Sequence, residues 1–262
     1  MHVPPVIAAG VRRRGRVILR DMRPRTRRLK HGARAPRRRV ATALLALTGA
    51  AAGLVAGCDV TNRLPFASFD TRCKAMPAPR YQVAVVPLAV TEDDTTGFDE
   101  LTTKSGASPE RHRTYGLTVV NFGHETESRL RMLEETSSGR TCATPDVDVV
   151  LSMRPATVYV ARELSGDACR HEATRQHEMQ HVAAYRELLE QAAVQLRAEL
   201  PAAVAASWTG ATATDVRTRF DDALRGFLRE FMRAQHERLA ERQALIDSPE
   251  EYARVARACR NS

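Results

Sequence analysis

The C-terminal part of the chain carries a helical period that restricts the fold more than any other feature. From about Ala168 onward, apolar residues recur at steps of three and four positions. Pro201 predicts the end of a first long helix, and Thr214-Asp215 predicts the start of a second. The motif SPEE at 248–251 has a serine cap, a proline in the first turn and a glutamate three residues after the cap, which predicts a third helix.

The part of the chain before these helices has the patterns of strands. At 147–153 apolar residues alternate with polar ones, as in a strand with one buried face. With 156–163, across Arg154-Pro155, this segment predicts an antiparallel hairpin. We also expect strands at 81–90 and 114–122, a polar loop at 91–113 and a short helix within 124–139. The predicted class is α+β, a small antiparallel sheet followed by long helices, over residues 81–262.

Charge separates an N-terminal leader from this domain. Residues 1–57 contain 14 Lys and Arg against one acid, Asp21, which leaves 26 basic and 30 acidic residues from position 58 onward. The body is therefore mildly acidic although the whole chain has a formal charge of +9. We expect no nucleic-acid partner, because a basic surface would have to come from the leader alone.

The leader has the features of an export signal. A basic run at 34–40 precedes a charge-free apolar stretch at 41–57, and Val55-Ala56-Gly57-Cys58 follows. This ending resembles a bacterial lipobox, which implies cleavage before Cys58, lipid attachment to its thiol and anchoring in the cell envelope. Residues 1–57 would then be a signal peptide, with Met22 a possible start, and 58–80 a tether. An uncleaved membrane anchor is the alternative, but the apolar stretch is short for a span.

An oxidising compartment decides how the remaining cysteines are interpreted. Apart from Cys58 there are four, and an even number predicts two disulfides. The sequence does not choose among the three possible pairings. The four candidates are Cys73, Cys142, Cys169 and Cys259.

The stretch RQHEMQHVAAY at 175–185 contains side chains suited to bind a metal ion and to act as a base. His177 and His181 are four residues apart on the first long helix, so both imidazoles can face one ion, and Glu178 can reach a water on that ion. Neutral imidazoles are ligands for Zn²⁺, and the carboxylate is suited to act as general base. The alternative is a solvated helix face with two ordinary histidines.

The motif His177-Glu178-Met179-Gln180-His181 matches the HExxH of zincin metallopeptidases, and the wider region 158–182 resembles predicted secreted zinc-dependent proteases of bacteria. The resemblance covers roughly residues 145–255. It implies a zincin-like fold, Zn²⁺ as cofactor, His177 and His181 as ligands, Glu178 as base and a peptide or protein substrate. It also implies substrate binding along an edge strand, for which 156–163 or its partner strand is the candidate.

A clear third ligand is missing from the sequence. No HExxHxxGxxH extension exists, because Glu187 stands where the third histidine would be. Of the candidates His236 is the first choice, since it flanks the apolar stripe of the second long helix. The acids have simpler explanations as solvated residues or as residues favoured at a helix start. These acids are Glu237, Glu241, Asp247, Glu250 and Glu251.

Two functions remain open from the sequence. One is a membrane-tethered zinc metallopeptidase of the envelope that hydrolyses peptide bonds with metal-activated water. The other is a noncatalytic lipoprotein that binds an envelope partner.

Overall fold

The computed structural model describes residues 67–110 and 112–260. The predicted signal peptide, Cys58 and the first part of the predicted tether lie outside these residues. The described part contains five α-helices and a five-stranded sheet, which confirms the α+β class. In this part of the chain, no helix has both the length and the apolar character needed to cross a membrane.

Most strands and two short helices come before the two long helices in the chain. In chain order they are α1 (Phe69–Lys74), β1 (Arg80–Val85), β2 (Thr91–Asp93), α2 (Phe98–Lys104), β3 (Gly116–Glu134), β4 (Thr141–Val160), a 3-10 turn (Arg162–Leu164), α3 (Ala168–Ala203), β5 (Trp208–Gly210), α4 (Ala213–Ile246) and α5 (Pro249–Ala258).

The sheet is mixed and is built around β4. Along one side β4 pairs with β3 in an antiparallel hairpin that closes over 135–140. On its other side β4 pairs with β1 and β2 in parallel and with β5 antiparallel. The predicted purely antiparallel sheet is therefore wrong. The short strands β1 and β2 lie on the side of β4 opposite to β3, and they run parallel to β4.

Three predicted elements differ from the structure. The segments 147–153 and 156–163 do not form a hairpin, because β4 runs through Arg154-Pro155 as one strand with a register shift against β3. Such a bulge accommodates a proline inside a strand. The predicted helix within 124–139 is instead the second half of β3, held in register by β4. The predicted loop 91–113 contains β2 and α2.

The main core lies between the sheet and the two long helices. Val147, Val149, Leu151 and Met153 of β4 are at most 1% exposed, as their alternation predicts. They pack in one cluster with the buried faces of α3 and α4, whose apolar stripes were predicted from the helical period. The residues that α4 buries in this cluster are Phe220, Leu224, Leu228, Phe231 and Met232.

The long helices form an antiparallel pair. Contacts between their side chains join Gln195 to Gln235 and Glu187 to Arg242. The C-terminal end of α4 therefore lies beside the N-terminal third of α3, where the HExxH motif is. Pro201 lies within the last turn of α3, which continues to Ala203.

Two disulfides join the short terminal helices to the rest of the domain, as the even number of cysteines predicts. Cys73–Cys142 joins α1, which lies within the predicted tether, to the start of β4. Cys169–Cys259 joins the first turn of α3 to the residue after α5. The second bridge holds α5 next to the HExxH helix.

Candidate metal site

His177 and His181 lie one turn apart on α3 and face the same side. Both are buried, with 5% and 7% of their surface exposed. Their Nε2 atoms are 3.3 Å apart, and their rings are nearly perpendicular. The pair therefore is not the solvated helix face that was the alternative.

Asp247 completes the cluster from another helix. It is the C-terminal cap of α4, directly before Ser248, the N-cap of α5. Its Oδ1 atom is 3.3 Å from Nε2 of His177 and 3.2 Å from Nε2 of His181. Within the described residues, this trio is the one group of His, Cys, Asp and Glu whose ligand atoms converge closely enough to hold a metal ion.

The partners of the other ring nitrogens determine which atoms carry protons. Nδ1 of His181 lies against Oε1 of Gln243, and an amide oxygen can only accept, so this nitrogen is a donor. Nδ1 of His177 is 3.4 Å from Oε1 of Glu251. A hydrogen bond from Arg254 lowers the pKa of Glu251 to about 2, so its carboxylate is ionised and also accepts.

If both rings are neutral and carry their protons on Nδ1, three acceptors point at one another. With the protons on Nδ1, both Nε2 atoms present lone pairs to each other and to Asp247 Oδ1. Such an arrangement is repulsive unless positive charge lies between the three atoms. Histidines that bind metals in proteins characteristically donate their second N–H to an oxygen acceptor, and the Nδ1 atoms of His177 and His181 each have such an oxygen beside them.

The spacing and the ligand types fit a zinc-like ion. Two ligands about 2.0–2.1 Å from an ion in tetrahedral geometry lie about 3.3–3.4 Å apart. The three separations here are 3.2–3.3 Å. Two imidazole nitrogens and one carboxylate oxygen are a known zinc ligand set, and three protein ligands leave the fourth position open for water or substrate.

The ionisable groups of the cluster shift one another's pKa. Burial by itself lowers the pKa of both imidazoles, but hydrogen bonds with Asp247 and the charge of Glu178 outweigh it and raise the pKa of His177 and His181. Burial alone would raise the pKa of Asp247, yet its contacts with the two imidazoles and Tyr252 lower it.

Glu178 lies beside this cluster and is also buried. Thr118 of β3 donates a hydrogen bond of 2.8 Å to its Oε2 atom. Burial raises the pKa of the Glu178 carboxyl, and the charges of His181 and His177 offset only part of that effect. Gly116 of β3 lies so close that a Cβ atom on it would be 2.5 Å from Glu178 Oε1. The HExxH glutamate is thus held between α3 and the start of β3.

The structure places His236 away from this cluster. Its Nδ1 atom donates to the carbonyl oxygen of Met232, 2.6 Å away, and its ring packs against Phe122. In the structure Asp247, and not His236, converges with His177 and His181. Tyr185, next along the α3 stripe, belongs to the main core, and burial raises its pKa to about 12.

Sequence reasoning did not identify the residues that support the cluster. Gln243 and Tyr252 contact it from α4 and α5, and Thr118 holds Glu178 from β3. Asp247 was among the acids considered, but its position before a helix start gave it a simpler explanation.

Comparison of the chain with known protein families, curated proteins and solved structures found no match. The function is therefore inferred from the residues of the site.

Proposed function

We propose that the protein is an envelope lipoprotein and a zinc-dependent metallopeptidase. The observation that supports this most is the convergence of three possible ligand atoms, from His177, His181 and Asp247, beside the buried carboxyl of Glu178. The ligand set leaves a position for water, and a group suited to take its proton stands next to it.

Each part of the site has a role in this proposal. When bound, a zinc ion would polarise the peptide carbonyl and lower the pKa of water towards about 7. Glu178 would accept the proton of the attacking water and pass it to the leaving amine nitrogen as the C–N bond breaks. A carboxyl whose pKa is raised by burial is a stronger base than a solvated one, which suits this task. The hydrogen bond from Thr118 orients it.

The substrate would be an extended segment of polypeptide bound beside β3. No other described strand pairs with the edge of β3 that faces away from β4. The start of this strand, Gly116 to Thr118, borders Glu178. A peptide added to that edge would pair through its main chain with β3 and lie next to the base.

Two variants with different expected failures test the proposal. Purified protein should contain about one zinc per chain by metal analysis. Glu178→Gln should keep the zinc and lose hydrolysis of unfolded protein substrates, because the amide preserves the shape but cannot accept the proton. His181→Ala should lose the zinc itself, because one of three protein ligands is gone.

The outcomes separate the two functions. If Glu178→Gln loses as much zinc as His181→Ala, the assignment of Glu178 as base is wrong. If the wild-type protein binds zinc but cleaves no protein or peptide library, a noncatalytic lipoprotein that binds an envelope partner becomes the better explanation.

A further inference from the structure

Helix α5 lies next to the ligand trio but contributes little to the core. None of its residues is buried, and the Cys169–Cys259 disulfide joins the residue after it to α3. Two consecutive residues of its first turns, Glu251 and Tyr252, reach the metal cluster. The first turns of this helix therefore contact the site.

Tyr252 contacts two of the three candidate ligands. Its hydroxyl group donates a hydrogen bond of 2.8 Å to Oδ1 of Asp247, the same oxygen that faces both imidazoles. Its ring lies against the imidazole of His177, with 5.5 Å between the ring centres. Tyr252 thus restrains the ligand from α4 and one ligand from α3 at the same time.

The Tyr252 hydroxyl group can hold the Asp247 carboxylate when the imidazoles cannot. When both Nε2 atoms act as ligands they carry no protons, so they cannot donate to the carboxylate. Among the described residues, Tyr252 is then the donor that still holds Oδ1. Without it the carboxylate, which lies at a turn between two helices, could rotate away from the imidazoles.

We propose that Tyr252 is a positioning residue of the metal site, which fixes the Asp247 carboxylate in the orientation that binds the ion. The inference rests on the metal site of the proposed function but not on peptidase activity. Substitution of groups that orient metal ligands commonly costs about 10–100-fold in metal affinity. We expect a loss of this size from removing one hydroxyl group.

The test compares two tyrosine-to-phenylalanine variants of the full chain. Tyr252→Phe should weaken Zn²⁺ binding about 10–100-fold in a competition titration with a chelating dye. It should also change the visible absorption of the Co²⁺-loaded protein, because that spectrum reports the geometry of the ligands. Tyr81→Phe is the matched control, since the Tyr81 hydroxyl donates 2.8 Å to the carbonyl oxygen of Val204, at the far end of α3. Tyr81→Phe should leave both metal measurements unchanged.

Thermal unfolding in the presence of a chelator shows whether Tyr252→Phe folds like the control. Wild-type zinc affinity and an unchanged Co²⁺ spectrum in folded Tyr252→Phe would overturn the inference while leaving the metal site intact. Equal losses of affinity in Tyr252→Phe and Tyr81→Phe would also overturn it, because they would indicate general destabilisation. If the wild-type protein binds neither ion, the proposed metal site itself fails, and the inference fails with it.

Discussion

Replacing Gly116 by alanine tests how tightly β3 holds the helix that carries Glu178. The new Cβ atom would lie 2.5 Å from Glu178 Oε1, 2.6 Å from Thr174 Cγ2 and 2.9 Å from Glu178 Cγ. Favourable carbon contacts are about 3.5–4.0 Å, so the neighbours would have to retreat by about 1 Å. They have little room, since Thr174 is 7% and Glu178 4% exposed.

The expected cost follows from these contacts. An extra carbon in a well-packed interior costs about 1–3 kcal/mol. Displacing Glu178 would also break its 2.8 Å hydrogen bond with Thr118, which contributes about 1–3 kcal/mol. Because one movement causes both losses, we expect a total of about 2–4 kcal/mol for Gly116→Ala. For a domain of this size the midpoint of thermal unfolding should fall by roughly 5–15 °C.

The same strand contains a matched control. A Cβ atom on Gly123 would meet nothing within 4 Å. Gly123→Ala should therefore be neutral or stabilise by up to about 1 kcal/mol, because alanine has less conformational freedom to lose. Urea unfolding followed by circular dichroism, with a chelator present, measures both variants without a contribution from metal. If the free energies of unfolding of Gly116→Ala and Gly123→Ala agree within about 0.5 kcal/mol, β3 does not pack closely against Glu178.

Three further results are expected. Asp247→Ala should abolish zinc binding and His236→Ala should leave the zinc content unchanged, because Asp247 faces the two imidazoles and His236 does not. Metal analysis of both proteins measures this. Zinc loss in His236→Ala alone would indicate His236 as the ligand. The double variant Cys169→Ser/Cys259→Ser should lower both the free energy of unfolding and the zinc affinity, because the bridge spans 90 residues and holds α5 at the site. The loss of stability expected from chain entropy for such a loop is about 4–5 kcal/mol. Wild-type zinc affinity in the folded double variant would show that α5 keeps its place without the bridge. Cys58→Ser should abolish lipid labelling and membrane association in a bacterial host, and a wild-type protein recovered soluble and unlabelled would contradict the lipoprotein assignment.

The elements that sequence predicts well are those whose signals are local. The helical period and the serine cap at 248 predicted α3, α4 and α5, and Ser248 does accept the hydrogen bond from the backbone of Glu251. The strand at 147–153 was predicted from its alternation alone. Each of these signals lies within a few residues of the structure that it describes.

The hairpin was misplaced because its register depends on residues far apart in the chain. Segment 124–139 contains Leu130 and Leu133 at helical spacing, and most of its first residues are exposed, so neither period dominates. It becomes a strand because β4 offers a continuous partner from Thr141 onward. Arg154-Pro155 has the composition of a turn, but a bulge absorbs it inside β4. Pairing of this kind overrides local propensity.

The structure brings Asp247 and not His236 to the two histidines for a geometrical reason. His236, Gln243 and Asp247 are separated by seven and four residues, so the helical period places all three on one face of α4 and its end. His236 was chosen because it flanks the apolar stripe of this helix, and that criterion does not fix the height along the helix. At about 1.5 Å per residue, His236 lies about 16 Å from Asp247 along the axis.

That height is fixed by the antiparallel packing of α4 against α3, in which Glu187 meets Arg242 and His181 meets Gln243. No local pattern encodes this register, because it depends on where α3 ends after Pro201 and on the short strand β5 that precedes α4. A histidine pair four residues apart on one helix face can therefore be predicted from the sequence, whereas the approach of a residue 66 positions beyond His181 depends on the packing of the whole helical pair.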